Sequence, residues 1–239
     1  MFSPAHFIWL GSIALVIVLA FVLIKKFNPS HLFVQHVVTA MMIAFKLFHV
    51  ALSMKDSPHG GMVLSQTQLS FHLCSVQVYL LIFINLTKNE KLIKTIKSFM
   101  VPCMVIGAFM SLIIPVEGVS PAVPRVWQYM LIHALLVFYG FYLMLVERVD
   151  LSLPTYLTNL KIMLLLTVIG FVMNSVLEQY GTNFLFLRYP PANNLPILNL
   201  DNGWYAYFIS LVIICVILLG LVQLPFIIKS LEAKNKEEQ

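Results

Sequence analysis

Long apolar runs alternate along the chain with short polar breaks, and seven runs are long enough to notice. They cover roughly 7–24, 31–54, 68–86, 98–114, 127–146, 157–178 and 205–228. Stretches of about 18 or more apolar residues read as membrane-spanning helices. The pattern therefore predicts an all-α membrane protein, a seven-transmembrane helix bundle in which residues 1–239 form a single domain. No Lys or Arg precedes the first run, no small-residue cleavage site closes it, and Lys25 and Lys26 follow it. It reads as a retained helix rather than a signal peptide. The longest connection, near 179–204, is rich in Asn, Pro and Tyr.

Composition agrees with this picture. Of 239 residues, 60% are hydrophobic and 10% charged, whereas a soluble domain carries about a quarter charged residues. Water is the wrong solvent for such a chain.

Charge adds a direction. With the N-terminus placed outside, the inner connections hold Lys25, Lys26, Lys88, Lys91, Lys94, Lys97, Arg148, Lys161, Lys229, Lys234 and Lys236. The outer ones hold Lys55, Arg125 and Arg188, and Lys46 falls inside the second run. This asymmetry predicts an outer N-terminus and a cytoplasmic KSLEAKNKEEQ tail. The lysines of KNEKLIKTIK read as an orientation signal and headgroup anchor, so no nucleic-acid partner is expected. A lysine-rich, arginine-poor bias fits the plasma membrane of a low-GC bacterium.

Ionisable residues inside a bilayer are costly and mark candidate sites. At ~1.5 Å per residue, Cys74 lies about 9 Å and His133 about 10 Å below the outer ends of their helices. His49 and Lys46 come about 8 and 12 Å below the outer end of the second helix. Asn174 and Glu178 reach the same level on the sixth. The inner halves of these helices carry little beyond His36 and Lys161. At ~100° per residue, Lys46 shares a face with His49, Asn174 with Glu178, and Tyr129 with His133. Cys74 shares its face with Ser70 and Gln77, while His72 points about 160° away. FHLCS is thus not a Cys–His pair on one helix, and a histidine partner for Cys74 has to come from another.

A thiol becomes a nucleophile when a histidine or another positive neighbour holds it as thiolate. Cys74 and His133 supply the residue types of nucleophile and base, with Glu178, Asn174 or Tyr129 to orient the imidazole. Lys46 or Arg188 would hold a phosphate or an oxyanion. Opening into the outer leaflet, such a layer suits acyl transfer from a membrane lipid through a thioester. The plain alternatives are a packing cysteine and a histidine that only links helices. Cys103 and Cys215 have no polar company and read as packing; His6, His31, His36 and His59 read as interfacial or loop residues.

Other classes fit less well. His36 and His49 lie thirteen residues apart on one helix, rotated about 140° from each other, a poor fit to two stacked haems. Pro102, Pro115 and Pro225 fall near helix ends rather than breaking helices at the midplane, as a transporter would need. The seventh run has no lysine for a retinal. No CxxC or Cys/His metal spacing occurs, so neither metal nor cofactor is expected. A lipid-binding or small-molecule transport protein is the non-enzymatic alternative.

FHLCS at the head of the third helix, QYMLIHALLV in the fifth, GTNFLFLRYPP after the sixth and NGWY opening the seventh form a pattern over nearly the whole chain. The sequence resembles the YwaF-like family of integral membrane proteins, which includes transmembrane protein 164 of animals. The resemblance implies a seven-helix, cysteine-dependent acyltransferase acting on membrane phospholipid or other lipid as donor and acceptor. By the same resemblance, the nucleophile corresponds to Cys74 and its partner histidine to His133. His72, Gln77, Asn183 and Arg188 fall in or beside those elements as supporting or substrate-binding candidates. Gly181 and Pro190–Pro191 are turn chemistry that would fold Phe184, Phe186 and Tyr189 back to the interface.

Overall fold

A computed structural model describes residues 3–56, 62–69, 71–191, 195 and 197–237. His59 and Ser70, noted above, lie outside the described residues. The chain is 78% helical, and its described residues form seven helices: α1 Pro4–Phe27, α2 His31–Ser53, α3 Leu73–Leu86, α4 Glu90–Ile113, α5 Pro124–Glu147, α6 Leu153–Val176 and α7 Gly203–Glu237.

Local chemistry sets several of the ends. Ser3, Ser30 and Asn89 cap α1, α2 and α4, each side-chain oxygen accepting a backbone N–H of the first turn. Proline stands in the first turn of α1, α5 and α6, where its missing N–H costs nothing. Asn28 stops α1 in the left-handed region at φ 45°.

Six of the seven helices are long and apolar enough to cross a membrane; α3, with 14 residues, is the shorter one. It extends about 21 Å against a hydrocarbon core of about 30 Å. The apolar run predicted a helix from residue 68, but the chain first makes a 3-10 turn at Gln66–Gln68 and enters α3 at Leu73. Before it, Met54–Asp56 (β1) and Met62–Leu64 (β2) pair antiparallel, Lys55 opposite Val63, a ribbon the helix pattern did not foresee. At the other end of the bundle, α4 begins at Glu90 rather than 98. Most of KNEKLIKTIK therefore lies on the first turns of α4 rather than in a loop.

The helices run up and down. The start of α1 meets the end of α4, His6 Nε2 lying 2.8 Å from the Leu112 carbonyl. At the opposite, lysine-rich end the start of α2 meets the end of α5, His31 Nδ1 lying 2.7 Å from the Tyr142 hydroxyl. The centre is α4 against α5, where Met100, Met104, Met130, Leu136 and Tyr139 are fully buried. Gly140 lets the two backbones close up: a Cβ there would lie 2.9 Å from Met104 Cβ and 3.1 Å from the Val105 nitrogen. Both helices widen into π turns, α4 over Cys103–Ala108, directly after Pro102, and α5 over Leu143–Glu147. Large apolar side chains of α1, α6 and α7 stay exposed, as lipid-facing helices require. The helices thus make an integral membrane bundle.

Candidate functional site

The late start of α3 decides the surroundings of Cys74. His72 is the N-cap residue in extended conformation, so Cys74 is the second residue of the helix. The helical-wheel angle between them does not apply, because His72 is not on the helix. Its ring turns to the loop after α6 instead, 5.7 Å from Phe184 and 5.1 Å from Phe186, centroid to centroid.

Cys74 is partly buried, with Sγ 4.0 Å from Ser111 Oγ of α4. Ser111 Oγ spends its own hydrogen on the Gly107 carbonyl at 3.0 Å, so the thiol is the donor in that contact. The Ser111 carbonyl accepts from Tyr129 OH at 3.0 Å. Tyr129 and His133 stand one turn apart on α5 with ring centroids 4.2 Å apart. His133 is buried, and its Nδ1 lies 2.7 Å from the Tyr129 carbonyl. A carbonyl can only accept, so Nδ1 carries the proton and a neutral ring keeps Nε2 bare. Cys74, Ser111, Tyr129 and His133 are thereby strung along α3, α4 and α5. Among the described residues no hydrogen bond joins Cys74 to His133, and the connection runs through Ser111 and Tyr129.

A second group lines the end of α2. Lys46 lies near both His49 and His72, and Gln128 of α5 donates to the Phe45 carbonyl at 3.4 Å. No ion pair to Lys46 occurs among the described residues. Arg125 beside them is engaged, with Nε 2.9 Å from Glu117 Oε2 and Nη2 donating to Gln68 Oε1 at 2.7 Å.

The third group is occupied in holding a loop. Asn174, buried, accepts from Phe184 N at 2.7 Å and donates to Phe184 O at 3.1 Å. Asn183 Oδ1 accepts from Arg188 N at 2.9 Å while its Nδ2 donates to Tyr189 O at 2.7 Å. Tyr207 OH donates to the Phe186 carbonyl and Trp204 Nε1 to that of Leu187 at 2.9 Å. This stapling holds Leu185 and Phe186 at φ 55° and 56°, a region bulky side chains avoid. Arg188 pairs with Glu178 at 2.5 Å. Asn174 and Glu178 are thus spent on the loop rather than on the imidazole, which the Tyr129 carbonyl orients. Arg188 is neutralised by Glu178. A cavity of about 270 Å³ lies between Phe171, Asn174, Glu178, Leu187, Arg188 and Trp204, and neither Cys74 nor His133 lines it.

A family model described as the TMEM164 family matches residues 1–223. The chain belongs to the TMEM164 family. No curated protein and no solved structure gives a significant match. The FHLCS, His133 and GTNFLFLR elements all lie inside the stretch that the TMEM164 family model covers.

Sequence reasoning missed Ser111, whose signal was a lone hydroxyl one turn after Gly107 in an apolar run. It also missed the polar interior at the lysine-rich end. There Gln35 Nε2 donates to Asn85 Oδ1 and Asn85 Nδ2 to Thr39 Oγ1, both at 2.8 Å. Asn159 Nδ2 donates to the Ser98 carbonyl at 3.3 Å and to Gln223 Oε1 at 3.1 Å. Lys97 Nζ meets Glu147 Oε1 at 2.6 Å. These contacts tie α2 to α3, α4 to α5, and α6 to α4 and α7. The halves at the lysine-rich end are not as bare as the sequence suggested.

Proposed function

We propose that the protein is a lipid transacylase that carries a fatty acyl chain as a thioester on Cys74. The observation that carries this reading is the polar string from Cys74 through Ser111 and Tyr129 to His133 at the head of α3, in a chain of the TMEM164 family. The bare Nε2 of His133 is the base that takes the thiol proton and later returns it. Lys46, an unpaired cation beside His49 and His72, holds the phosphate of a phospholipid. Donor and acceptor are both membrane lipids. In this reading α3 is a seventh span, helped across by the turn at Gln66–Gln68. The N-terminus lies outside, the lysine-rich end is cytoplasmic in a bacterial plasma membrane, and the site opens to the outer leaflet.

Lipid profiles of membranes containing the wild type, Cys74→Ala and His133→Ala test this reading. The wild type is expected to redistribute acyl chains, and both variants to lose that effect. Identical profiles in all three, with no acylated Cys74 by mass spectrometry, would end the enzyme reading.

A second reading draws on the thiol's bond to Ser111 Oγ and the lack of one to His133: the same layer binds a lipid or small molecule without chemistry. Cys74 would then resist lipid-mimetic electrophiles at near-neutral pH.

A further inference from the structure

Among the described residues, three groups at the head of α3 lack a hydrogen-bond partner. A helix leaves its first N–H groups unpaired, and His72 in the N-cap position offers them no side-chain bond. The first N–H groups with partners are those of Ser75 and Val76, which donate to the His72 carbonyl at 2.9 and 3.0 Å. That leaves Leu73 and Cys74. The third group is Gln77 Oε1. Gln77 is 1% exposed and stands one turn along, on the face of Cys74. Its Nε2 donates to the Leu73 carbonyl at 3.3 Å. That bond fixes the amide, since flipping it would set oxygen against oxygen. Oε1 is therefore a buried acceptor beside the first turn with no donor, and such a group is costly unless a ligand satisfies it.

We propose that this turn is a two-sided cradle for the transferred acyl group: the N–H groups of Leu73 and Cys74 bind its carbonyl oxygen, and Gln77 Oε1 receives a hydrogen bond from the hydroxyl or amine that attacks the thioester. The proposal rests on Cys74 being the acyl carrier. In the first half the sulfur bonds to the ester carbonyl carbon while its proton passes to His133 Nε2. The carbonyl oxygen becomes an oxyanion between the two N–H groups, where the helix dipole adds positive potential. The C–O bond then breaks, and the leaving alkoxide takes the proton from His133. In the second half the acceptor's oxygen or nitrogen, held by Gln77, bonds to the same carbon and the C–S bond breaks. The acceptor's proton returns through His133 to the sulfur. Donors and acceptor thus match a reaction that needs both.

The backbone donor can be deleted cleanly. Leu73 is the first helical residue, where proline is well tolerated, and His72 at φ −75° and ψ 148° already has the extended conformation that precedes proline. Leu73→Pro removes the N–H; Leu73→Ala trims the side chain and keeps it. Full-length protein in phosphatidylglycerol vesicles carrying a fluorescent acyl chain is assayed for hydroxylamine-sensitive label on Cys74, and lysophosphatidylglycerol is then added to discharge it. Leu73→Pro is expected to acylate about a hundredfold more slowly than Leu73→Ala, the scale of one lost oxyanion donor. Gln77→Ala is expected to slow acylation from phosphatidylglycerol and discharge to lysophosphatidylglycerol alike, each about tenfold, because one is the reverse of the other. Acylation from a p-nitrophenyl ester, whose leaving group donates no hydrogen bond, should stay normal, a split that a packing role would not produce. Equal acylation of the two Leu73 variants, or normal discharge by Gln77→Ala, overturns the cradle while Cys74 acylation by the wild type keeps the transacylase reading alive. If Leu73→Pro does not fold, the Gln77 arm decides. A wild type that never acquires label sinks both.

Discussion

Ser111 Oγ sits 4.0 Å from Cys74 Sγ while giving its own hydrogen to the Gly107 carbonyl at 3.0 Å. The serine therefore receives the thiol's hydrogen, at the limit of a sulfur hydrogen bond. In the proposed function it is the brake of the resting site.

Ser111→Ala releases that brake. A weak hydrogen bond of about 0.5 kcal/mol corresponds to roughly a twofold change in an equilibrium, so Cys74 should alkylate about twice as fast with iodoacetamide. The fold should hold, since a serine bonded back to its own helix contributes little stability. Slower alkylation would show that Ser111 activates the thiol instead.

Asn174→Ala is expected to free the loop after α6. The side chain bonds both backbone groups of Phe184, and leaving buried partners unpaired costs about 1–3 kcal/mol each. With Leu185 and Phe186 at φ 55° and 56°, the released backbone should relax and take Phe184 and Phe186 off His72. Limited proteolysis at 184–188 should increase sharply. Glu178→Gln, which breaks an ion pair whose carboxylate side chain is 68% exposed, should change little. Equal proteolysis in the two variants would contradict this division.

What could be read from the sequence follows from what lipid demands of a chain. Run length marked the six long helices, because the hydrocarbon core must be spanned by hydrogen-bonded backbone. The start of α3 escaped, since Leu69 and Phe71 continue the apolar run whether or not they are helical, and the helix begins only after the extended His72. The π turns at 103–108 and 143–147 shift only the hydrogen-bond register and leave no mark on composition. Lys97 and Glu147 each fell one residue outside a predicted run, so a buried pair looked like loop charge. The polar layer around Cys74 and His133 was legible by depth. That Cys74 meets Ser111 and that Tyr129 OH reaches the Ser111 carbonyl was not, because both links depend on how α4 packs against α3 and α5.

The packing of α4 on α5 gives a paired test. Gly140→Ala puts a methyl group 2.9 Å from Met104 Cβ and 3.1 Å from the Val105 nitrogen, and backbone cannot swing aside. Overpacking should cost about 1–3 kcal/mol. Gly107→Ala, whose Cβ would meet Leu73 Cδ2 at 3.9 Å, has ordinary contact and should be neutral or slightly stabilising, as alanine favours helix over glycine. Thermal unfolding in detergent checks the order; equal melting temperatures would contradict the close approach.

The pair Lys97–Glu147 offers the sharpest stability test at the lysine-rich end. Their side chains are 10% and 17% exposed and 2.6 Å apart, so each charge depends on the other. Glu147→Ala strands the ammonium and should cost about 3–5 kcal/mol. Replacing both, Lys97→Met with Glu147→Leu, removes the two desolvated charges together and should recover most of that loss. Glu147 Oε2 and Tyr139 OH are both buried without a partner, so the double change removes one unsatisfied oxygen as well. Unfolding of Lys97→Met, of Glu147→Leu and of the double variant forms a cycle whose coupling energy should exceed about 1.5 kcal/mol. A coupling near zero would mean that the bundle admits water to this end and that the pair behaves as a surface contact.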